Sequence, residues 1–213
     1  LVGSDAYDAE ELIAYEAGYR VQPTVSVSLD LAAFYNDYDE LRTIAPGAPL
    51  PPEGEDPRPI VPFIVANDAF GRSYGFELAA TWRASRHVRL RGSYSRLEVR
   101  SAIRDGAPEN SAPEVAEGSD PAHSTDLWLS LDLPASFELD VVGRHVAELG
   151  GRGIPDYTTA DVRVGWRWSD HLELSAVGQD LFDERHAEFP TISFILDNRE
   201  VSRRGYVKAV WRF

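Results

Sequence analysis

The side chains best suited to chemistry are five histidines, His87, His123, His145, His171 and His186, and four carboxylates, Glu109, Glu114, Glu117 and Asp120. An imidazole metal site needs ligands at short fixed intervals, such as H-x-x-x-H, and no such pair occurs. With no cysteine in the chain, thiolate metal sites, disulfides and a cysteine nucleophile are excluded. The carboxylates share one stretch and suit a hard cation, but their spacing matches no calcium loop, so they read as a solvated acidic loop. Gly150-Gly151-Arg152-Gly153 lacks the lysine and the strand-to-helix setting of a phosphate loop. No G-x-S-x-G elbow or dinucleotide fingerprint is present either. The sequence assigns no catalytic residue, no metal and no cofactor, and it points away from an enzyme.

Charge removes another class. The 213 residues carry 35 acidic and 21 basic side chains, a net charge of −14, whereas a nucleic-acid binder must neutralise phosphates with Lys and Arg. The remaining charges are ordered rather than scattered. Glu16, Asp30, Glu77, Arg89, Arg91, Glu138, Asp140, Arg144, Asp161, Arg163, Arg167, Lys208 and Arg212 all fall on one parity of segments whose other parity is apolar.

Residues 157–168 show this most clearly: Ala160, Val162, Val164, Trp166 and Trp168 alternate with Asp161, Arg163, Gly165 and Arg167. A period of two places successive side chains on opposite faces of a β-strand. The same reading predicts strands over residues 10–20, 25–38, 73–82, 87–103, 125–133, 137–144, 157–168, 171–180 and 201–213. Most of the nine run to ten residues or more, against about five or six in soluble proteins, and a tilted membrane-crossing strand needs about 9–11. Their connections alternate between short ones, at residues 21–24, 84–86, 134–136 and 169–170, and long ones, at 41–62, 104–122, 148–155 and 183–200. This is the rhythm of an up-and-down transmembrane barrel, with tight turns at one rim and extended loops at the other.

Aromatic side chains on the apolar parity collect beside the short turns: Tyr19, Trp82, Phe137, Trp166, Trp168, Trp211 and Phe213. Such a row suits a girdle at the lipid headgroup level. Nine is an odd number, whereas single-chain bacterial barrels use even strand counts, and no methionine stands at position 1. Both features lead us to expect further strands before residue 1. Two other architectures share the alternation: a passive porin-like channel and a soluble β-sandwich that binds a ligand.

Several segments resemble the barrel of TonB-dependent outer-membrane receptors. They are LIAYEAGYR at residues 12–20, LDLAAFYNDYDELRT at 29–43, GRSYGFELAATW at 71–82, VGQDLFDERH at 177–186 and the terminal GYVKAVWRF. The family's penultimate motif usually reads Asn-Leu-Phe-Asp; here Asp180 takes the Asn position. The resemblance implies that residues 1–213 are the C-terminal portion of an antiparallel barrel of about 22 strands. A plug domain and the segment that contacts the TonB complex would lie upstream. It also implies a Gram-negative outer membrane, contact with its lipid, and recognition of Phe213 by the outer-membrane assembly machinery. The function implied is energised import of a ferric siderophore or similar metal chelate. Ligand contacts in such receptors come from the plug and the long loops, which by location alone nominates Tyr35, Tyr38, Arg42, Phe63, Arg104 and His186.

Overall fold

The computed structural model describes residues 7–51, 59–108, 110–113, 117–188 and 200–213. Glu109 and Glu114 of the acidic stretch lie outside the described residues. Nine long strands dominate: β1 (Glu11–Thr24), β2 (Val27–Pro46), β3 (Phe63–Arg83), β4 (Val88–Ile103), β6 (His123–Leu133), β7 (Phe137–Val146), β8 (Tyr157–Arg167), β9 (Leu172–Gln179) and β12 (Arg204–Trp211). Three short strands accompany them: β5 (Ala112–Pro113), β10 (Arg185–Ala187) and β11 (Glu200–Ser202). The long strands are hydrogen-bonded in the order β1-β2-β3-β4-β6-β7-β8-β9-β12, so each neighbours the long strand next to it in sequence. This is the meander expected from period-two segments joined by tight turns.

Four boundaries differ from the sequence reading, each for a local reason. The first turn lies at Val25 and Ser26, not at residues 21–24, and β1 runs through Pro23. Pro23 stands next to the strand's last residue, Thr24. β2 and β3 extend to 20 and 21 residues and absorb much of the supposed loop. Within β2, Glu40 adopts a left-handed φ of 54°, and the strand continues past it. The last segment divides into β11 and β12, because residues 200–202 pair with β10 rather than β9.

The chain forms two compact units. The first comprises Leu1–Glu16, Phe34–Gly75 and Glu98–Ser119, the parts of β1–β4 remote from their short turns. Its polar centre is Asn67, whose amide donates to the carbonyls of Asp8 at 3.1 Å and Glu40 at 2.5 Å and whose oxygen accepts from the Asp8 N–H at 2.7 Å. Thr43 is fully buried beside it and donates to the Ala66 carbonyl at 3.2 Å. Gly71 must be glycine, since a Cβ there would lie 2.7 Å from the Arg100 carbonyl oxygen on β4.

The second unit comprises Ala17–Ala33, Phe76–Leu97 and Asp120–Phe213. Its register sorts side chains into rows. On one face Val88, Leu131, Leu139, Val164, Ala176 and Val207 stand opposite one another in turn; the next row is Leu90, Leu129, Val141, Val162 and Gly178. On the other face the rows are Arg89, Ser130, Asp140, Arg163, Val177 and Tyr206, then Asp132, Glu138, Gly165, Ser175 and Lys208. The β6–β7 hairpin closes through a 3-10 turn at Pro134–Ser136, with Ala135 and Ser136 both at positive φ.

The apolar face has a height. On β6 its leucines run from Leu133, opposite Phe137, to Leu127, about 20 Å at about 3.3 Å per residue, and the polar Thr125 and His123 follow on the same side. With the strand tilted by about 45° the leucines cover about 14 Å, and it takes the polar edge at His123 to bring the distance from the Phe137 end to about 23 Å, near the roughly 25 Å that separates the two interfaces of outer-membrane barrels. If this face meets lipid, Val164→Arg destabilises the inserted protein by about 2–4 kcal/mol, while Val142→Arg, on the polar face opposite Trp128 and Asp161, costs far less. Urea unfolding in lipid vesicles measures both, and equal costs would contradict the assignment of faces.

Candidate functional site

On the polar face of the second unit the charges organise around Arg163. Its Nη1 donates to Glu138 Oε2 and Asp140 Oδ2, each at 3.0 Å, and its Nη2 donates to Glu173 Oε1 at 3.2 Å. Arg167 reaches the second oxygen of Glu138 at 3.3 Å, and Arg212 the second oxygen of Glu173 at 3.3 Å. Ser130 donates to Asp140 at 2.7 Å. Three arginines thus face three carboxylates, and the hub is held at two-thirds buried or more: Arg163, Asp140 and Glu173 side chains are 29%, 26% and 22% exposed. The period of two forces these residues onto one face, and the register brings them within reach although they are up to 74 positions apart, from Glu138 to Arg212. A second pair, Arg144 to Asp126 at 2.9 Å, lies on the same face.

Other cations on this face are open. Arg83, Arg89 and Lys208 have no ion pair among the described residues, and Arg86 donates only to His87 Nε2, at 2.8 Å. Arg83, Arg86, His87, Arg89, Asp132 and Glu138 line a recess of about 320 Å³. Chemically, the Arg163 cluster is already neutral and locks β7, β8 and β9 together. The open arginines and lysine remain available to a negatively charged partner.

In the first unit Tyr38 and Arg104 share a recess of about 400 Å³ with Glu11, Asp37, Asp39 and Phe70. Arg104 forms ion pairs with Asp39 and, at 3.4 Å, with Glu40, and its guanidinium carbon lies 5.9 Å from the Phe70 ring centre. The Tyr38 hydroxyl is 3.3 Å from the Ser73 hydroxyl, which also accepts from Asn36 at 3.1 Å. Tyr35 stands apart in a ladder of rings, 6.4 Å from Tyr15 and 6.3 Å from Tyr74. Phe63 opens β3 and is half exposed, while Arg42 is held at its backbone N–H by Glu10 at 2.7 Å. His186 belongs to the second unit, where it is buried, stacks on Tyr157 at 4.3 Å and sets Nε2 3.3 Å from Glu188. Asp39, Asn67, Phe70 and Ser73 join this chemistry without having been singled out. Asn67 and Phe70 lie in a stretch where the alternation is too broken to read.

Aromatic rings beside the short turns pack against one another. Phe137 and Trp166 stack with parallel rings at 5.2 Å, and Trp166 meets Trp168 edge-on at 4.5 Å. Tyr19, Trp82, Trp168 and Trp211 are all more than half exposed, and Phe213 is fully so. Large apolar rings left this open in water are unfavourable.

Residues 2–181 match the family model described as "TonB dependent receptor-like, beta-barrel". The chain belongs to this family. Among solved structures it is similar to the copper transporter OprC, at 14% identity and a TM-score of 0.68, over 98% of this chain and 33% of that one. It is similar to the ferric yersiniabactin uptake receptor FyuA from Yersinia pestis, at 18% identity and 0.63, over 96% and 30%. The ferric-catecholate import receptor Fiu from K12 E. coli follows at 14% and 0.67, over 95% and 27%. At these identities the likeness is one of fold, and the chain spans about a third of the length of these receptors. No curated protein matches the sequence.

The family's penultimate motif now has a physical reason. Asp180 ends β9 at φ 55°, accepts from Thr159 at 3.3 Å, and has its N–H bound by Asp161 at 3.0 Å; the next N–H, of Leu181, reaches the Ala160 carbonyl at 2.9 Å. Asn and Asp are the side chains that tolerate the left-handed region best, so either fits. Asp180→Asn should leave unfolding free energy within about 0.5 kcal/mol, whereas Asp180→Val should cost about 1–2 kcal/mol. For the hub, Arg163→Gln should cost about 1–2 kcal/mol, and a double-mutant cycle with Asp140→Asn should return a coupling above about 0.5 kcal/mol. A coupling of zero would show that the pair contributes only its geometry.

Proposed function

We propose that residues 1–213 are the C-terminal part of the barrel of an outer-membrane receptor that imports a ferric siderophore or similar metal chelate with energy delivered by TonB. The observation that carries this reading is the family match across residues 2–181, on a sheet whose one face is apolar between an aromatic row and a polar edge. The ligand class is favoured by the similar solved receptors, described as a copper transporter, a ferric yersiniabactin uptake receptor and a ferric-catecholate import receptor.

In this reading the two faces divide the labour. The apolar face and its aromatic row sit in lipid. The neutral Arg163 cluster stiffens the wall, while Arg83, Arg89 and Lys208 face the lumen and hold a plug domain supplied from upstream by charge pairing. Tyr38 and Arg104, in one recess, together with Tyr35, Arg42, Phe63 and His186, are the candidates for ligand contact from this part of the chain. The exposed Phe213 is the handle for the assembly machinery, and its strand is tied down beside it: the Arg212 N–H donates to the His171 carbonyl at 2.9 Å. Such a protein is a transporter and not an enzyme.

The test is uptake of 55Fe-loaded siderophores by Gram-negative cells that carry or lack the full-length gene. Accumulation should require the gene and an intact TonB, and a protonophore should abolish it. Gene-dependent entry that survives the protonophore would make the protein a passive channel. Gene-dependent uptake of cobalamin or haem alone would retain the importer and replace its ligand.

A further inference from the structure

The upper edge of the apolar face in the second unit is not closed by the tryptophan and phenylalanine type of ring found at its lower edge. There the row reads Tyr94, Thr125, His145 and Thr158, and above it Arg96 stands opposite His123. All six share the parity of Leu90, Leu129, Val141 and Val162, so they face the lipid side rather than the lumen. Tyr94 and His123 have ring centres 6.3 Å apart, and His123 and His145 5.6 Å apart, forming a ladder of rings beside Arg96's position in the register. His145 engages Thr158 through Nδ1 at 2.9 Å, which leaves Nε2 available. Arg96 is exposed and has no hydrogen-bond or ion-pair partner among the described residues, its partners across β6 and β7 are not acidic, and Glu98, two positions along the same parity, is held by Arg100 at 2.9 Å.

Directly below lies a depression. The next row is Gly92, Leu127, Gly143 and Ala160; Ala160 is buried, but a Cβ at Gly143 would meet nothing within 4 Å, and Leu127 beside it is half exposed. An unpaired cation with imidazole donors, set about one bilayer height from the tryptophan row and directly over an apolar groove, matches one kind of molecule. It must carry a phosphate above and a hydrocarbon chain below.

We infer that Arg96, His123 and His145 bind the phosphate of an anionic lipid headgroup in the outer leaflet, with an acyl chain of that lipid lying over Gly143 beside Leu127. The inference rests on the bilayer placement of this face and not on the identity of the imported ligand. The polar edge then does what an aromatic row does at the opposite interface, and fixes the depth of the wall against a specific lipid class.

The test is native mass spectrometry of the full-length receptor in a non-ionic detergent, titrated with dioleoyl phosphatidic acid and, separately, with dioleoyl phosphatidylcholine. Wild type should retain phosphatidic acid preferentially. Arg96→Gln should weaken that binding about fivefold, and the Arg96→Gln/His123→Gln pair further, with phosphatidylcholine unaffected. Arg91→Gln removes the same charge from the lumen side, where Arg91 stands opposite Trp128, and should leave phosphatidic acid binding at the wild-type level. Equal losses for Arg91→Gln and Arg96→Gln, or none for Arg96→Gln, would overturn the site. Displacement of the lipid by millimolar inorganic phosphate would reduce it to a simple anion site and overturn the lipid assignment. A wild-type dimer that dissociates in the Arg96→Gln variant would give the face to a second copy of the chain and likewise overturn it. Heat-modifiable mobility on a gel confirms that each variant is folded, and uptake of the ferric chelate is scored separately, so failure of the lipid site and failure of the importer reading are distinguishable.

Discussion

The organisation of this chain follows from one constraint: a membrane wall made of strands must send every second side chain into hydrocarbon while leaving no backbone group unpaired. The first half of that demand sets the period of two along β4, β6, β7 and β8. The second half sets the meander, because adjacent strands joined by tight turns satisfy each other's N–H and C=O groups without leaving the sheet. A one-residue slip in register would carry the whole Leu131–Leu139–Val164 row to the wet face and bring Ser130, Asp140 and Arg163 into lipid. The charged cluster therefore also guards the register: Arg163 reaches Glu138, Asp140 and Glu173 only in the pairing observed.

This explains what was legible in the sequence. The nine long strands, their two faces and the tight turns at Pro134–Ser136 and residues 169–170 all derive from a local period, and a local period is visible in one dimension. The boundaries that moved depend on neighbours. Residues 21–24 look like a turn until β1 is seen to continue through Pro23 to Thr24, and residues 200–202 look like the start of β12 until β10 is there to receive them. The same holds for the short strand β5, two residues long, which exists only because β2 extends far enough to pair with it.

The chemistry of the first unit was less legible for a related reason. Arg104 and its carboxylate Asp39 are 65 positions apart, and Asn67 and Asp8 are 59 apart. Nothing in the local pattern around Asn67 shows that its amide will be fully used by two carbonyls and an N–H. Location nominated Tyr38 and Arg104, and they do share a recess. Location also nominated Tyr35, whose parity places it with Leu29, Leu31 and Ala33 and whose ring joins a tyrosine ladder. Parity was available in the sequence and is the stronger guide, since it decides which side of the wall a side chain serves.

Charge on the polar face carries two different meanings, which the sequence alone could not separate. Arg163, Arg167 and Arg212 are matched by three carboxylates at hydrogen-bond distance, partly buried, so their field outside the cluster nearly cancels. Arg83, Arg89 and Lys208 have no such partners among the described residues and keep their full field. In a water-filled lumen an isolated arginine is tolerated at little cost, so stability alone does not demand partners for these three. A wall that neutralises one set of cations internally and leaves another set open has divided its lumen face into a part that holds itself together and a part that can still attract charge. Arg83 and Arg89 flank the β3–β4 turn while Lys208 stands on β12, so the open part is two patches rather than one, and neither needs an internal ion pair broken before another negative group approaches.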